Sequence, residues 1–185
     1  MAAVLCLSGC SSATPSPGTP TPRASGSSGT LTTSRFSIAI PSGWRNQTSN
    51  PAEVSRFSQN GTVLALLESP PPGKPQPNLN DVTANINVVL AESPVPDDQL
   101  AFYLSSVNQS GATNLSQPQP FTVDGHTGVY ITYELSVSGT PGKSQDMVVN
   151  YKGETYGIIL NTSKYAFPMQ LPALMLLLDS WRWNS

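Results

Sequence analysis

The sequence predicts an α+β fold in which helices cover the apolar side of a central antiparallel β-sheet. Two observations lead to this prediction. The second half of the chain contains successive segments with apolar residues at every second position, joined by short turns. One segment before this run and one after it carry apolar residues at helical spacing. Strands joined by short turns pair antiparallel, which leaves the two helices to cover the sheet.

The run of strand-like segments spans positions 121–162. Between Val129 and Val137 the apolar residues occupy every second position, and successive side chains on a strand point to opposite faces. The pairs Asp124-Gly125 and Lys152-Gly153 suit tight turns, in which the glycine tolerates a positive φ. We therefore predict a four-stranded meander with one apolar side, formed by Phe121, Val123, Val129, Ile131, Tyr133, Leu135, Val137, Met147, Val149, Tyr151, Tyr156, Ile158 and Leu160.

The first half of the chain adds further strands. Positions 36–40 alternate between apolar and other residues, and a turn containing proline and glycine ends the segment. Positions 54–58 and 62–68 flank Asn60-Gly61, which is a strong signal for a β-hairpin. Positions 83–92 alternate again, and one face of that segment carries Ala84, Ile86, Val88 and Leu90.

Two segments have the periodicity of a helix. The first begins at Asp97-Asp98, because acidic residues suit the positive N-terminal end of a helix. Its apolar stripe consists of Leu100, Tyr103, Leu104 and Val107. The second segment spans positions 168–181, and its stripe consists of Leu171, Leu174, Leu178 and Trp181.

Two stretches could carry binding. The last helix is more apolar than an amphipathic helix requires, because its surface also includes Met175, Leu176 and Leu177 beside Trp181. These residues either pack in the core against the meander or line a surface or gap that accepts a partner or a lipid. The proline-rich loop at 69–80, with Pro72 and Lys74, is either a plain exposed loop or an extended segment that docks on a partner.

Composition excludes several classes of function. Only 11% of the 185 residues are charged and the net charge is −2, so no basic patch for nucleic acid is expected. His126 is the single histidine, and the two cysteines, Cys6 and Cys10, precede the folded part, which leaves no metal cluster built from histidine or thiolate. The sequence contains no Gly-x-Ser-x-Gly motif, and Asp97-Asp98 is explained by the helix start. We therefore expect no catalytic residue, no metal and no cofactor, and thus no enzyme.

The N-terminus has the features of a membrane anchor. Leu7-Ser8-Gly9 precedes Cys10 and is similar to the lipobox of bacterial lipoprotein signal peptides, in which the cysteine thiol receives a diacylglycerol. No Lys or Arg precedes the short apolar run, so residues 1–9 resemble an incomplete signal peptide. Residues 10–33, rich in Ser, Thr, Pro and Gly, are expected to form a disordered tether, and residues 34–185 the globular domain. The alternative is a chance apolar N-terminus.

Two motifs and the order of the elements support a family resemblance. The stretch Phe-Ser-Ile-Ala-Ile-Pro-Ser-Gly-Trp at 36–44 opens the domain, and Asp-Gly-His-Thr-Gly at 124–128 starts the meander. Together with the closing helix, they resemble the PsbP-like fold and, among lipoproteins, the actinobacterial LpqN-type group. The resemblance covers about 34–183. It implies a central antiparallel sheet with helices on both faces, an α/β/α sandwich. It also implies a non-enzymatic domain that binds proteins or envelope components, in a group linked to envelope lipid assembly.

These inferences combine into one expected function and one alternative. We expect a binding or scaffolding domain in cell-envelope assembly or in contact with a host or other protein partner. Acyl chains on Cys10 would hold it on the outer face of the cell membrane. The alternative is a carrier of envelope lipid or glycolipid, with an apolar cavity under the last helix.

Overall fold

The computed structural model describes residues 26–58, 61–70, 83–107, 111–137 and 139–185. Within these ranges the chain forms ten β-strands and three α-helices. The elements are β1 (Ser27–Thr32), β2 (Phe36–Pro41), β3 (Arg45–Asn46), α1 (Pro51–Val54), β4 (Thr62–Glu68), β5 (Asn85–Leu90), α2 (Leu100–Val107), β6 (Gln119–Val123), β7 (His126–Val137), β8 (Thr140–Tyr151), β9 (Glu154–Ser163), α3 (Phe167–Ser180) and β10 (Arg182–Trp183). A 3₁₀ turn at Asp97–Gln99 leads into α2.

Two antiparallel sheets form the framework. The larger has seven strands in the order β3-β4-β5-β9-β8-β7-β6, and the smaller has three in the order β1-β2-β10. Helix α2 packs on β7 and β8 from one side of the large sheet, whereas α3 packs on β2 and β9 from the other. The predicted α+β fold with helices on both faces is therefore confirmed.

The main core lies between the large sheet and the layer that β2 and α3 build over it. Strand β2 contributes Phe36 and Ile38, strand β9 contributes Ile158, and helix α3 contributes Leu174 and Leu177, all fully buried. A smaller core lies on the other face under α2, where Leu100 and Leu104 meet Ile131 and Val148. Because Val148 and its neighbour Val149 point to opposite faces, β8 is buried on both sides, as a strand sandwiched between helices must be.

The meander exists as predicted, but its apolar residues do not share one side. Both two-residue turns have the positive φ angles of a tight hairpin, 43° and 82° at Asp124 and Gly125 and 50° and 74° at Lys152 and Gly153. The connection from β7 to β8 pairs odd positions of β7 with even positions of β8, for example Ile131 with Asp146. The apolar row of β7 consequently faces α2, whereas that of β8 and β9 faces α3.

Two further predictions for the first half are wrong. Positions 54–58 do not form the first strand of a hairpin, because Pro51 begins the short helix α1, whose first turn suits proline. Strand β4 pairs with β3 and β5 instead. Gly61 does not connect the two strands of the predicted hairpin. A glycine is needed at this position because a Cβ there would lie 2.1 Å from the carbonyl oxygen of Leu90.

The folded part begins earlier than predicted. Strand β1 lies inside the segment 10–33 that was expected to be a disordered tether, and it pairs along β2 with a register irregularity near Gly29. Its sequence, Ser-Ser-Gly-Thr-Leu-Thr, has almost no apolar pattern, because an exposed edge strand is held by backbone hydrogen bonds rather than by burial. The lipobox and residues 11–25 lie outside the described residues.

In the part of the chain that the structure describes, no helix combines the length and the apolarity needed to cross a membrane.

Candidate ligand-binding groove

A groove lies on the face of the large sheet that carries α2. The helix packs on β7 and β8, and beside it a cavity of about 50 Å³ is lined by Val89, Ala91, Tyr103, Leu104, Val148 and Ile159. Asp146 and Thr155 add polar groups to this lining. The walls are thus mainly apolar, and carboxylate and hydroxyl groups lie at their margin.

A row of polar side chains crosses the same sheet face. Backbone pairing places Asn85 of β5 opposite Asn161 of β9, Asn161 opposite Ser144 of β8, and Ser144 opposite Tyr133 of β7. Asn87 and Asp146 lie two positions further along their strands and therefore on the same face. We call these side chains the polar row: Asn85, Asn87, Tyr133, Ser144, Asp146 and Asn161.

The amide end of the polar row is joined by hydrogen bonds. The amide of Asn161 donates to Asn85 Oδ1 at 3.1 Å, and the amide of Asn87 donates to the same oxygen at 3.2 Å. Asn85 and Asn161 are half-buried, whereas Asn87 is buried. In the bonds among the described residues Asn85 acts as acceptor, so both donor hydrogens of its amide remain available to a molecule in the groove.

The other end of the polar row centres on the Asp146 carboxylate. Ser144 Oγ donates to Asp146 Oδ1 at 2.5 Å, and the Tyr133 hydroxyl donates to Asp146 Oδ2 at 3.2 Å. Ser144 Oγ also lies 2.9 Å from Asn161 Oδ1, which links the two ends. Burial raises the pKa of Tyr133, and the neighbouring Asp146 raises it further. Tyr133 therefore keeps its proton and remains a hydrogen-bond donor at physiological pH.

The arrangement suits binding of a neutral polar group. Amides, hydroxyls and a carboxylate offer both donors and acceptors to a ligand that carries hydroxyl or amide groups. The carboxylate of Asp146 disfavours a phosphate or another carboxylate at the same place, because like charges repel strongly where water is excluded. Among the described residues no group of three or more His, Cys, Asp and Glu is placed to hold a metal ion.

Asp97 and His126, the titratable groups considered in the sequence analysis, lie outside the polar row. Asp97 Oδ1 accepts a hydrogen bond from the Asn150 amide at 2.7 Å. The ring of His126 contacts the edges of Tyr151 and Trp183, with ring centroids 5.0 Å and 6.1 Å away. No histidine thus reaches the Ser144–Asp146 pair, because the chain contains only His126.

The residues predicted to form a binding surface on the last helix divide into two groups. Leu177 and Trp181 are fully buried, and the Trp181 ring stacks on Phe36 with centroids 4.3 Å apart. They are core residues, so their assignment to a partner or lipid surface is wrong. Met175 is exposed and Leu176 is half-buried on the outer side of α3. Pro72, Lys74 and the predicted lipidation site Cys10 lie outside the described residues.

A second, polar pocket of about 150 Å³ lies near the C-terminus but offers less. Among its charged groups, Arg35 and Glu154 form an ion pair with each other, and Lys152 lies over the Tyr151 ring. The Tyr156 hydroxyl donates to Glu154 at 2.6 Å. The hydrogen bond from Tyr156, and after it the one from Arg35, lowers the pKa of Glu154. These groups satisfy one another, so the groove beside α2 is the better candidate.

Sequence reasoning missed the polar row. The available signal was weak: Asn85 and Asn87 alternate with Ile86 and Val88 in a segment that was predicted as a strand, and the structure places this strand inside the sheet. Asparagine is uncommon in central strands, so two of them on one face of such a strand point to a polar neighbour. That neighbour, Asn161, is 76 positions away in sequence, and only the register of the folded sheet identifies it.

The sequence matches no known family model and no curated protein. Among solved structures the chain is similar to LpqN, described as involved in cell envelope biogenesis of Mycobacterium tuberculosis. The TM-score is 0.59 at 12% identity, with 81% of this chain and 83% of that chain covered. A protein of unknown function from Pseudomonas aeruginosa, described as a putative regulator, gives a TM-score of 0.48 at 16% identity over 75% and 85%. Cyanobacterial PsbP from Synechocystis sp. PCC 6803 gives 0.45 at 13% identity over 80% and 86%. The chain therefore shares the fold of LpqN, as the sequence motifs predicted.

Proposed function

We propose that this protein is a lipid-anchored, extracytoplasmic binding domain of the cell envelope and that the groove beside α2 is its binding site. The polar row carries this proposal. A sheet face under a helix is ordinarily apolar, because burying an unpaired polar group costs roughly 1–3 kcal/mol. Six polar side chains aligned across four strands, with half-buried amides at one end, form a prepared surface for a polar ligand.

The ligand class follows from the chemistry of the groove. Asn85 supplies amide donors, and Asn161 and Asp146 supply acceptors, so hydroxyl groups on a neutral ring fit better than an anion. The apolar cavity next to the row accepts a small hydrocarbon group. These two features together favour a saccharide or the saccharide headgroup of an envelope glycolipid.

The packing under α3 favours a binding domain over an enclosing carrier. The space under α3, where the carrier hypothesis placed its cavity, is occupied by Leu174, Leu177 and Trp181, all fully buried. Recognition of a headgroup is thus better supported than transport of an enclosed lipid.

Two observations support the location. The lipobox-like Leu7-Ser8-Gly9-Cys10 motif supplies a thiol for acylation. LpqN, whose fold the chain shares, is described as involved in cell envelope biogenesis. A domain held outside the membrane by acyl chains on Cys10 could recognise envelope components or a partner protein that carries the same chemical groups.

The proposal is tested by titrating the purified chain with neutral disaccharides and short-chain glycolipid analogues in a calorimeter. Asn85→Ala should weaken binding about fivefold to tenfold, because one hydrogen bond contributes roughly 1 kcal/mol. The matched control is Asn46→Ala, an exposed asparagine on the short edge strand β3. Binding that is unaffected by Asn85→Ala, or the absence of binding across the whole panel, would contradict the proposal.

A further inference from the structure

One end of the domain combines the entry of the chain with exposed apolar side chains. The chain enters at Gly26, whose carbonyl accepts a hydrogen bond from Ser42 N at 2.6 Å. Strand pairing shows that this point and the last residue of β9 are at the same end of the strands. Taken in order from β1 to β8, the residues paired at this end are Ser27 and Pro41, Arg45 and Glu68, Glu68 and Asn85, Asn85 and Asn161, and Gly142 and Ser163. Gly26 and the segment after Ser163 therefore lie at the same end of the sheets, which we call the tether end.

The segment after β9 exposes an unusual set of side chains at this end. Tyr165 and Met169 are 58% and 61% exposed, and Pro168 between them is exposed as well. Lys164 is exposed next to Tyr165 and its ammonium lies 2.8 Å from Glu134. Tyr165 lies in the turn before α3 and Met169 lies in its first turn, so two large exposed side chains are four positions apart beside a paired lysine. We call Lys164, Tyr165, Pro168 and Met169 the tip.

We propose that the tip inserts into the headgroup region of the lipid bilayer to which the Cys10 anchor attaches the domain. This inference rests on the lipid anchor proposed above. Fifteen residues separate Cys10 from Gly26, and a chain of that length reaches at most about 50 Å even when fully extended. The tether end is therefore the end of the domain that is nearest to Cys10 along the chain.

The chemistry of the tip matches a bilayer surface. Tyrosine prefers the interface, where its ring contacts hydrocarbon and its hydroxyl stays hydrated. Methionine supplies flexible apolar volume, and a lysine at the edge keeps its ammonium among the headgroups. Since the Lys164 charge is already balanced by Glu134, the tip depends on apolar contact more than on anionic lipid.

Docking through the tip would also orient the groove. Asn85 is the first residue of β5, and Asn161 lies two residues before the end of β9, so both are near the tether end. At roughly 3.3 Å per residue Asn161 is about 7 Å from the end of β9. The amide end of the polar row would therefore lie close to the headgroups, whereas the cavity lined by Val89, Ala91 and Thr155 would lie farther from them.

The test uses the full lipidated chain in phosphatidylcholine vesicles, with an environment-sensitive dye on a single introduced cysteine. Met169→Cys reports on the tip. The matched controls are Lys152→Cys, in the turn at the opposite end, and Phe102→Cys, an apolar position on α2 that is 76% exposed. A quencher attached to the lipid headgroup should reduce the emission at position 169 about threefold more than at either control, because only the tip reaches the interface.

The outcomes separate this inference from the proposed anchor. Flotation with the vesicles and equal quenching at positions 169 and 152 would overturn the tip while leaving the anchor intact. Failure to float, with a mass that shows no acyl chain on Cys10, would overturn both. Preferential quenching at 169 that is abolished by Tyr165→Ser, a change at an exposed position, would support the tip.

Discussion

The two neighbouring leucines of α3 provide a direct test of which face of this helix is core. Leu177 is fully buried and Leu176 is half-buried, and Leu→Ala changes helix propensity equally at both positions. Leu177→Ala removes three buried carbons at about 0.8 kcal/mol each. A residual cavity of about 50 Å³ adds roughly 1 kcal/mol at 24 cal/mol per Å³. The expected loss is thus about 3–4 kcal/mol for Leu177→Ala and about 1 kcal/mol for Leu176→Ala.

Urea unfolding followed by tryptophan fluorescence measures this difference. The midpoint should fall strongly for Leu177→Ala while the slope of the unfolding free energy against urea stays unchanged, because the surface exposed on unfolding is nearly the same. An equal or larger loss for Leu176→Ala would refute the assignment of the core face. A Leu177→Ala variant of normal stability would restore the hypothesis that this residue belongs to a binding surface.

Two further predictions concern a strand connection and an ion pair. Gly61→Ala should destabilise the domain by more than about 1 kcal/mol, because φ is +138° and the new Cβ would lie 2.1 Å from the Leu90 carbonyl oxygen. A thermal melt compares it with Gly29→Ala, which has open space, and equal melting temperatures would contradict the prediction. A hydrogen bond from Lys164, and after it one from Asn114, lowers the pKa of Glu134 below its ordinary value of 4.5. These bonds therefore stabilise the folded state above pH 4.5, and the stabilisation is lost as the pH falls through the lowered pKa of Glu134. Lys164→Met should flatten the drop in melting temperature below pH 4.5 relative to Lys152→Met, and identical pH profiles would rule this out.

Local chemistry made the meander predictable. Asp124-Gly125 and Lys152-Gly153 supply the positive φ angles that a two-residue turn requires, and this information is complete within each pair. The side that each strand presents was not predictable in the same way. Ile131 faces α2 because its partner is Asp146, and that pairing depends on the connection between β7 and β8 rather than on the alternation within β7.

The apolar face of α3 shows a second limit of pattern reasoning. Periodicity identifies an apolar stripe that must be buried, but it cannot identify the residues that bury it. Leu177 and Trp181 are buried in the core to which Phe36 contributes, about 140 residues earlier in the chain. Strand β1 was missed for the opposite reason, since an edge strand of serine, threonine and glycine lacks an apolar signal altogether.

The polar row and the tip together suit a domain that works at the bilayer surface. A soluble carrier must enclose the hydrocarbon of its cargo, and the space under α3 is filled by Leu174, Leu177 and Trp181. A domain docked on the bilayer faces a different requirement, because the acyl chains of a glycolipid can remain in the membrane while its headgroup contacts the polar row. In the proposed orientation the amides of Asn85 and Asn161 lie near the tether end, where such a headgroup would arrive. Binding and anchoring would then be coupled: removal of the tip should weaken capture of a membrane-embedded glycolipid but leave the affinity for a free disaccharide unchanged.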